Sequence, residues 1–442
     1  MRIPVAQFPP PDAALPCVDP SLLPSQTLPG LTVDEIRKLF LLDLTQWTFV
    51  NHGAFGATLR AAHVLASEWR GYQESQPLRF FDRVLLPELA RRLHHVAALL
   101  HAQAHEITFV ANATAGLNVA VNALAMGVKV DSEAKEATTA ARGKDGAGDA
   151  LLLDLAYGSV KTMVREAVKR VTGGEIEMVA VPLPLDGGAR GIVERVAAAL
   201  EAREAAGKAP PAMAVFDHVT SNTGLVLPVE DLARLCAARG IPVLVDGAHG
   251  PLQLPVDLTA LRAAGVTYYA ANGHKWLASE KSVGLLWGCD AAARARLRPL
   301  NISHGYGHGF TSDFLWDGCR DYSAMLSLPA CLAVWEACGG VGAVRLHTHD
   351  LLREAADMLA AAWGTGGLAP AEMHANMALV AVPQRHGGRP AAYEDAAALQ
   401  TALYRQNIEV PVKALGGRLY VRISAHVYNT LSDYERLAAA LA

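Results

Sequence analysis

Residues 241–250, IPVLVDGAHG, and residues 266–275, VTYYAANGHK, are two short apolar segments that end in polar residues. Their length and their content of valine and aromatic residues are typical of buried strands. The first segment presents Asp246 at its carboxyl end, and the second presents Lys275. In parallel sheets covered by helices, ligands bind beyond the carboxyl ends of the strands. The two segments therefore predict an α/β fold with a carboxylate and an amine at one edge of its sheet.

An amine and a carboxylate in this position suit one kind of cofactor chemistry. The amine can form a Schiff base, and the carboxylate can keep a pyridine nitrogen protonated, so that the ring withdraws electrons. Lys275 and Asp246 therefore indicate a pyridoxal phosphate site. An ordinary Asp–Lys ion pair at a sheet edge is the alternative.

The surrounding chain supports a mainly parallel sheet with helices on both faces. Between residues 150 and 288, strand-like apolar runs alternate with helix-like segments, which is the pattern of such sheets. Polar side chains follow several of these strands, namely Tyr157, Asp217, His218, Thr220, Ser221, His249 and His274. Their shared position predicts one site built from several strand ends.

Two more apolar runs are followed by small residues, which allow the backbone to approach a ligand closely. Residues 50–56, VNHGAFG, place Asn51, His52 and Gly53 after a strand. Residues 109–118, FVANATAGLN, place Thr114 at the start of a buried helix. Free amides and a hydroxyl at such a helix start can bind a phosphate. Simple strand-to-helix turns are the alternative for both stretches.

Composition and charge argue against several classes of protein. The 442-residue chain has a net charge of −4 and no basic run, which disfavours nucleic acid or an anionic membrane as the main partner. Charged residues and glycines interrupt every apolar run before the roughly 18 residues that a bilayer requires. The N-terminal region lacks an apolar signal core and contains acidic residues. We therefore expect a soluble, cytoplasmic protein and leave organellar targeting open.

Neither the cysteines nor the histidines predict a metal site. The chain has six cysteines without a CxxC pair, and free thiols in a reducing compartment are preferred over disulfides or zinc. His304 and His308 are four residues apart, but Gly305 and Gly307 disfavour the helix that would bring the two side chains together.

The chain is long enough for a large α/β core with a smaller appended domain. The predicted parts are a proline-rich arm and helix over 1–46, a large cofactor-binding domain over 47–324 and a smaller α/β domain over 325–442. Residues 127–149 are polar and small, which predicts a surface excursion from the large domain.

Two groups of arginines are candidates for binding a substrate. Arg422 lies in a strand of the C-terminal part, where its guanidinium suits bidentate capture of an α-carboxylate; an exposed strand arginine is the alternative. Residues 79–83, RFFDR, follow a proline break and would wall an anionic pocket. Buried packing with surface ion pairs is the alternative for this cluster.

The chain resembles the class V aminotransferase family, the fold-type I pyridoxal phosphate enzymes. The resemblance extends from about Trp47 to the C-terminus, and the residues that carry it are VNHGAFG, FVANATAGLN, FDHVTSNTGLVLP, VDGAHG, NGHKW, WDGCRDYSA and VRISAHVYNT. Within the family the chain is most similar to the branch with isopenicillin N epimerase-like proteins and plant-type L-cysteine desulfhydrases.

By position, the resemblance implies a role for each candidate. Lys275 would be the Schiff-base lysine and Asp246 the partner of the pyridine nitrogen, with His249 beside the phenolic oxygen. Other cofactor contacts would come from Ala113, Thr114, Tyr157, Ser221 and His274. Arg422 would hold the substrate carboxylate with help from Asn51, His52 and Gly53. A homodimer with interfacial sites is implied, with residues 316–323 near the partner's phosphate.

The implied reaction is β-elimination from cysteine or a cysteine-like amino acid, giving sulfide, pyruvate and ammonia. An amino-acid epimerase is the alternative and needs a second acid or base, for which His218, Tyr322 or Cys319 are candidates. A sulfoxide C–S lyase acting on a larger cysteine conjugate is a third interpretation. Transamination and a non-catalytic scaffold are less favoured, and the absence of cysteine after Cys338 argues against a persulfide relay.

Overall fold

The computed structural model describes residues 15–133, 148–185, 187–383 and 389–441. Its strands, in chain order, are β1 (Thr48–Phe49), β2 (Ile107–Val110), β3 (Ala150–Leu153), β4 (Ile176–Val179), β5 (Met213–Asp217), β6 (Val243–Gly247), β7 (Val266–Asn272), β8 (Gly284–Gly288), β9 (Met377–Ala381), β10 (Ile408–Glu409), β11 (Val412–Leu415) and β12 (Arg418–Ser424). Its helices are α1 (Val33–Lys38), α2 (His52–Phe55), α3 (Arg60–Ser75), α4 (Pro77–Arg79), α5 (Leu85–Leu99), α6 (Ala113–Glu133), α7 (Gly158–Ala167), α8 (Gly188–Ala205), α9 (Val229–Ala237), α10 (Leu258–Ala264), α11 (Ala291–Arg296), α12 (Phe310–Leu315), α13 (Ser323–Leu326), α14 (Leu328–Ala337), α15 (Gly340–Trp363), α16 (Tyr393–Tyr404) and α17 (Leu431–Ala440).

Seven strands form the large sheet, in the order β2-β8-β7-β6-β5-β3-β4. The neighbours from β7 to β4 are parallel, whereas β8 is antiparallel to both β7 and β2. Every residue of β5 and β6 is buried, as expected for central strands covered on both faces. The predicted α/β class with a mainly parallel sheet is confirmed.

The two faces of this sheet pack into separate hydrophobic clusters. Val243 and Val245 of β6 belong to one cluster, which also contains residues of α3, α5, α8, α9 and α10. Leu244 between them belongs to the other cluster, with residues of α6 and α7. Since successive side chains of a strand point to opposite faces, continuous apolar runs such as Val243–Val245 bury both faces at once.

The C-terminal part builds its own antiparallel sheet, in the order β11-β12-β9. Helices α15, α16 and α17 contribute to its hydrophobic cluster, which also includes Val50 from the N-terminal side. Strand β1 pairs in parallel with β10, so residues 48–49, near the N-terminus, are hydrogen-bonded to the C-terminal part of the chain. The smaller C-terminal α/β unit is therefore present, while the boundaries 1–46, 47–324 and 325–442 stay a prediction.

Helix α6 corrects one expectation from the sequence. The polar excursion was expected to start at Gly127, but α6 continues to Glu133. Residues 134–147 of that excursion, and residues 1–14 of the expected arm, lie outside the described residues.

In the described part of the chain, no single helix has the length and apolar character to cross a bilayer, although the pair Ser323–Ala337 and Gly340–Trp363, bent by 70°, meets the length and composition criteria together.

Candidate active site

The carboxyl ends of β5, β6 and β7 bring the predicted carboxylate and amine to one edge of the large sheet. Asp246 is the fourth residue of β6 and pairs in register with Asp217 of β5. Lys275 follows β7 by three residues. Asp246 is held in place because its Oδ1 accepts a hydrogen bond of 2.9 Å from the amide of Ala248.

These residues open into a cavity of about 370 Å³. The cavity is large enough for a small cofactor, since ligand pockets start near ~300 Å³. Its wall is formed by Ala54, Phe55, Asn112, Ala113, Thr114, Leu117, Tyr157, Ser159, Asp217, Ser221, Asp246, Ala248, His249, Asn272, His274, Lys275, Lys281 and Ser282. The structure thus brings together all the residues predicted to bind the cofactor.

Lys275 is hydrogen-bonded to the ring of His249. Nζ of Lys275 lies 2.9 Å from Nε2 of His249, and Nε1 of Trp276 donates to Nδ1 of the same ring at 3.3 Å. Burial lowers the pKa of Lys275 to about 8, with Arg422 lowering it further and Asp246 opposing the shift. Burial, Lys275 and Arg422 also keep the pKa of His249 well below its usual value. A neutral imidazole beside an amine that deprotonates readily is suited to nucleophilic attack by that amine.

The two neighbouring carboxyl groups differ in their surroundings. Burial raises the pKa of Asp217 well above its usual value, and the adjacent Asp246 raises it further. Burial also raises the pKa of Asp246, but the Ala248 amide and Lys275 oppose that shift. Because two close carboxylates do not both ionise readily in a buried site, Asp217 is the carboxyl of this pair whose protonated form is favoured more, and Asp246 is the one whose charge Lys275 and the Ala248 amide stabilise.

The start of α6 provides donors for a phosphate, though not all of those predicted. The Ala113 amide already donates to Oδ1 of Asn272 at 2.8 Å, which removes it from the set of free donors. The amide of Thr114 has no acceptor among the described residues, and its side chain is exposed to the cavity. Nδ1 of His274 is likewise buried without a hydrogen-bond partner in the described part of the chain.

Arg422 is buried, with 4% of its surface exposed, and neither Arg422 nor Asn51 is among the residues that line the cavity. It donates through Nη1 to the carbonyl of Ser221 and through Nη2 to Oδ1 of Asn51 at 3.1 Å. Its Nε is buried without a partner within the residues that the structure describes. Burial lowers the pKa of Arg422 to about 10, so the guanidinium stays charged at neutral pH.

The structure does not bring His52 and Gly53 to the cavity wall. Nε2 of His52 donates to the carbonyl of Lys275 at 3.0 Å, and its Nδ1 accepts from the hydroxyl of Tyr428 at 3.0 Å. A side chain at Gly53 would meet Sδ of Met377 at 2.3 Å. His52 therefore supports the backbone of Lys275, and Gly53 leaves room for the side chain of Met377.

Several other candidates also lie away from the lysine. His218 is bonded to the hydroxyl of Tyr269 at 3.0 Å, and Tyr322 is bonded to Asp317 at 2.9 Å. Neither residue, nor Cys319, lines the cavity that contains Lys275. The 79–83 cluster is likewise separate, since residues 81–83 line a different cavity of about 610 Å³.

The arrangement fits pyridoxal phosphate. Lys275 has a depressed pKa, Asp246 lines the same cavity, and unpartnered donors are offered by Thr114 at the start of α6 and by His274 after β7. Tyr157 stands at the rim with 43% of its surface exposed. Three further residues of the site were not predicted from the sequence, because their contacts depend on tertiary structure: Asn272, Trp276 and Lys281.

Known proteins of similar sequence include enzymes that act on cysteine. The chain is 32% identical to a probable chloroplastic L-cysteine desulfhydrase of Arabidopsis thaliana, over 93% of this chain and 86% of that protein. It is 30% identical to an isopenicillin N epimerase of Amycolatopsis lactamdurans, over 84% and 89% of the two chains.

Solved structures with the same fold include two related enzymes. A variant of C-DES with glycine covalently linked to its PLP cofactor has a TM-score of 0.70 at 20% identity, covering 90% of this chain and 97% of that chain. The apo cysteine desulfurase of Thermococcus onnurineus has a TM-score of 0.69 at 18% identity, covering 92% and 96%. These likenesses confirm the predicted fold-type I architecture.

The family model described as "Aminotransferase class-V" matches residues 194–437, more than half of the chain. The matched segment contains Asp246, His249, Lys275 and Arg422. Together with the extent of the alignments, this match shows that the chain belongs to the class V aminotransferase family.

Proposed function

We propose that this chain is a pyridoxal phosphate-dependent C–S lyase that converts L-cysteine or a cysteine-like amino acid to sulfide, pyruvate and ammonia. The observation that carries the proposal is that Lys275 is hydrogen-bonded to His249 in a cavity that Asp246 also lines, in a chain that aligns with a probable L-cysteine desulfhydrase over 93% of its length. The reaction is a β-elimination followed by hydrolysis, so one water is consumed and no oxidant is needed.

Lys275 and the residues around it have different roles in the reaction. When bound, the cofactor supplies an electron-withdrawing pyridine ring next to the α-carbon of the amino acid. Lys275 would hold the cofactor, and its amine, once free, would accept the α-proton and donate a proton to the departing sulfur. Asp246 would keep the ring nitrogen protonated through its charge, and His249 orients the amine of Lys275 through their 2.9 Å hydrogen bond.

Substrate orientation is assigned to Arg422. Its guanidinium binds the α-carboxylate, because Asn51 and the Ser221 carbonyl fix its plane through the two Nη atoms. Tyr157, Thr114 and His274 line the cavity; Tyr157 would cover the ring of the cofactor, and Thr114 and His274 would hold its phosphate. His52 contributes indirectly, since it is hydrogen-bonded to the carbonyl of Lys275, and Gly53 leaves space for Met377.

Elimination is placed before epimerisation because the chain is 32% identical to a probable L-cysteine desulfhydrase over 93% of its length. An epimerase needs a second acid or base on the opposite face of the α-carbon; His218, Tyr322 and Cys319 do not line the cavity of Lys275 in the single chain, and in the proposed dimer Tyr322 and Cys319 would lie near the partner's site. The 30% identity to an isopenicillin N epimerase keeps epimerisation as the second candidate.

The decisive experiment measures sulfide and pyruvate released from L-cysteine and D-cysteine by the cofactor-loaded enzyme, with α-proton exchange followed in deuterated water. We expect equal amounts of sulfide and pyruvate from L-cysteine. The Lys275→Ala variant serves as the control and should lose at least about 1,000-fold in rate. Exchange or racemisation without sulfide would instead identify an epimerase. If neither elimination nor exchange is observed, cysteine is not the substrate, and larger cysteine conjugates would be tested next.

We further propose a cytoplasmic homodimer. Phe55, Leu78 and Ile302 are 78%, 70% and 69% exposed in the single chain, which supports burial against a second copy. All six cysteines are free thiols, consistent with a reducing compartment. Light scattering should give twice the 46.8 kDa chain mass, and fractionation of cells would locate the enzyme.

A further inference from the structure

Lys281 lies at the same end of the cavity as the start of α6. Strands β2 and β8 are antiparallel, with Val110 paired to Gly284. Beyond the paired residues, Lys281 and Ser282 line the same cavity as Asn112, Ala113 and Thr114. The two segments run close together, because a Cβ on Gly284 would lie 2.5 Å from Cα of Asn112. Lys281 and the first turn of α6 therefore line the same cavity.

The ammonium of Lys281 is available for a ligand. Its Nζ donates to Oγ1 of Thr58 at 3.4 Å, a long hydrogen bond to a neutral acceptor. Within the described residues it forms no ion pair, and the neighbouring carboxylate of Glu280 is bonded to Nδ1 of His63 at 2.6 Å instead. The side chain is exposed and forms part of the cavity wall.

The other donors at this end carry no formal charge at neutral pH. Thr114 offers an amide and a hydroxyl, and the pKa of His274 is lowered to about 4 by burial and by the two nearby lysines. Lys275 is the residue assigned to the covalent attachment. A phosphate monoester carries about −1.5 to −2 charges at pH 7. A helix N-terminus supplies only about half a positive charge, so one full cation is still required.

We propose that Lys281 is the cation that binds the phosphate group of the cofactor, together with the first turn of α6. This inference rests on the proposed function, since it presupposes that pyridoxal phosphate is the ligand. Lys281 is a binding and positioning residue in this view. It acts on the phosphate rather than on the reacting atoms, and its contribution should appear in cofactor affinity more than in catalytic rate.

The test compares pyridoxal phosphate with pyridoxal, which lacks the phosphate. Cofactor-free full-length protein is titrated with each compound, with tryptophan fluorescence as the readout. Lys281→Gln should bind pyridoxal phosphate about 10- to 100-fold more weakly than the wild type, the range for a hydrogen bond to a charged group. Its affinity for pyridoxal should be unchanged. Inorganic phosphate should compete with pyridoxal phosphate less effectively in this variant.

Two variants complete the design. Lys281→Arg keeps the charge and should restore most of the lost affinity, and Lys208→Gln removes an exposed lysine that lies outside the cavity and should change nothing. Equal losses for both compounds, or an unchanged affinity for pyridoxal phosphate in Lys281→Gln, would overturn the inference while leaving the proposed function intact. Failure of the wild type to bind pyridoxal phosphate would contradict the proposed function itself.

Discussion

Nζ of Lys275 lies 2.9 Å from Nε2 of His249, and the contact of Trp276 with the other ring nitrogen decides which of these two atoms donates the hydrogen bond. Trp276 donates to Nδ1 of the ring from the other side, and an indole nitrogen can only donate. Nδ1 of the neutral imidazole must then be the acceptor, so the ring proton resides on Nε2. Nε2 donates to Lys275, which favours the neutral, nucleophilic amine.

The first prediction concerns this tautomer. In the wild type, attachment of pyridoxal phosphate should accelerate with rising pH with a midpoint of about 8, because that is the pKa of Lys275. Trp276→Phe removes the donor to Nδ1, so the ring can shift its proton there and accept from a protonated Lys275. The midpoint should therefore move to higher pH, as measured by stopped-flow absorbance of the cofactor.

Trp335→Phe is the matched control for this experiment. Trp335 is equally buried, but its Nε1 donates to the carbonyl of Leu277 rather than to His249. Both variants should lose about 1–3 kcal/mol of stability through the smaller side chain. An identical midpoint in the wild type and Trp276→Phe would show that the indole does not set the tautomer.

The second prediction concerns the buried carboxyl of Asp217. Its pKa is raised by burial and by Asp246, so the folded state binds a proton that the unfolded state releases above pH 3.8. By linkage, the contribution of Asp217 to the free energy of unfolding is therefore fully present below pH 3.8. This contribution is lost as the pH rises through the folded-state pKa of Asp217. Asp217→Asn cannot titrate and should escape this loss.

Thermal unfolding of cofactor-free protein provides the measurement. The midpoint of Asp217→Asn should match that of the wild type near pH 4 and exceed it by a few degrees at pH 8, since 1 kcal/mol is worth about 2–4 °C in a large domain. A variant that is less stable than the wild type at pH 8 would mean that the ionised carboxylate has a stabilising partner.

Much of the site was predictable from the sequence because parallel strands deliver their carboxyl-terminal residues to one edge. Asp246, His249 and Lys275 meet there as expected. The orientation of His52 was not predictable, because it depends on Tyr428, 376 residues away in the sequence. The same holds for Asn272, whose side chain bonds the Ala113 amide across 159 residues. Local patterns specify strands and their ends, whereas such pairings depend on how the domains pack.

The third prediction separates Arg422 from the residue that orients it. Arg422→Ala should reduce kcat/KM by about 30- to 1,000-fold, mainly through KM, because the charged partner of the carboxylate is lost. Asn51→Ala removes the acceptor for Nη2 and should cost about 10-fold. In the Arg422→Ala background, Asn51→Ala should cost little more, since the two act together.

Glu409→Gln is the control for the Asn51 variant. Glu409 accepts from Nδ2 of Asn51 at 3.2 Å, and glutamine retains an oxygen acceptor at that position. Steady-state kinetics with cysteine should therefore be close to those of the wild type. Fully additive effects of the Asn51 and Arg422 variants would contradict a role for Asn51 in positioning the guanidinium.

The fourth prediction uses two glycines with the same φ of 69°. Gly56 combines this φ with a ψ of 174°, a region that is essentially restricted to glycine, and its Cβ would lie 2.0 Å from the carbonyl oxygen of His274. Gly207 has no atom within 4 Å of its Cβ position.

Gly207→Ala should cost about 1 kcal/mol of stability and leave turnover unchanged. Gly56→Ala should cost more and impair cofactor attachment, because the clash displaces the backbone next to Lys275. Denaturant unfolding and cofactor absorbance measure the two effects separately, and equal behaviour of the two variants would show that the turn at Gly56 does not position the lysine.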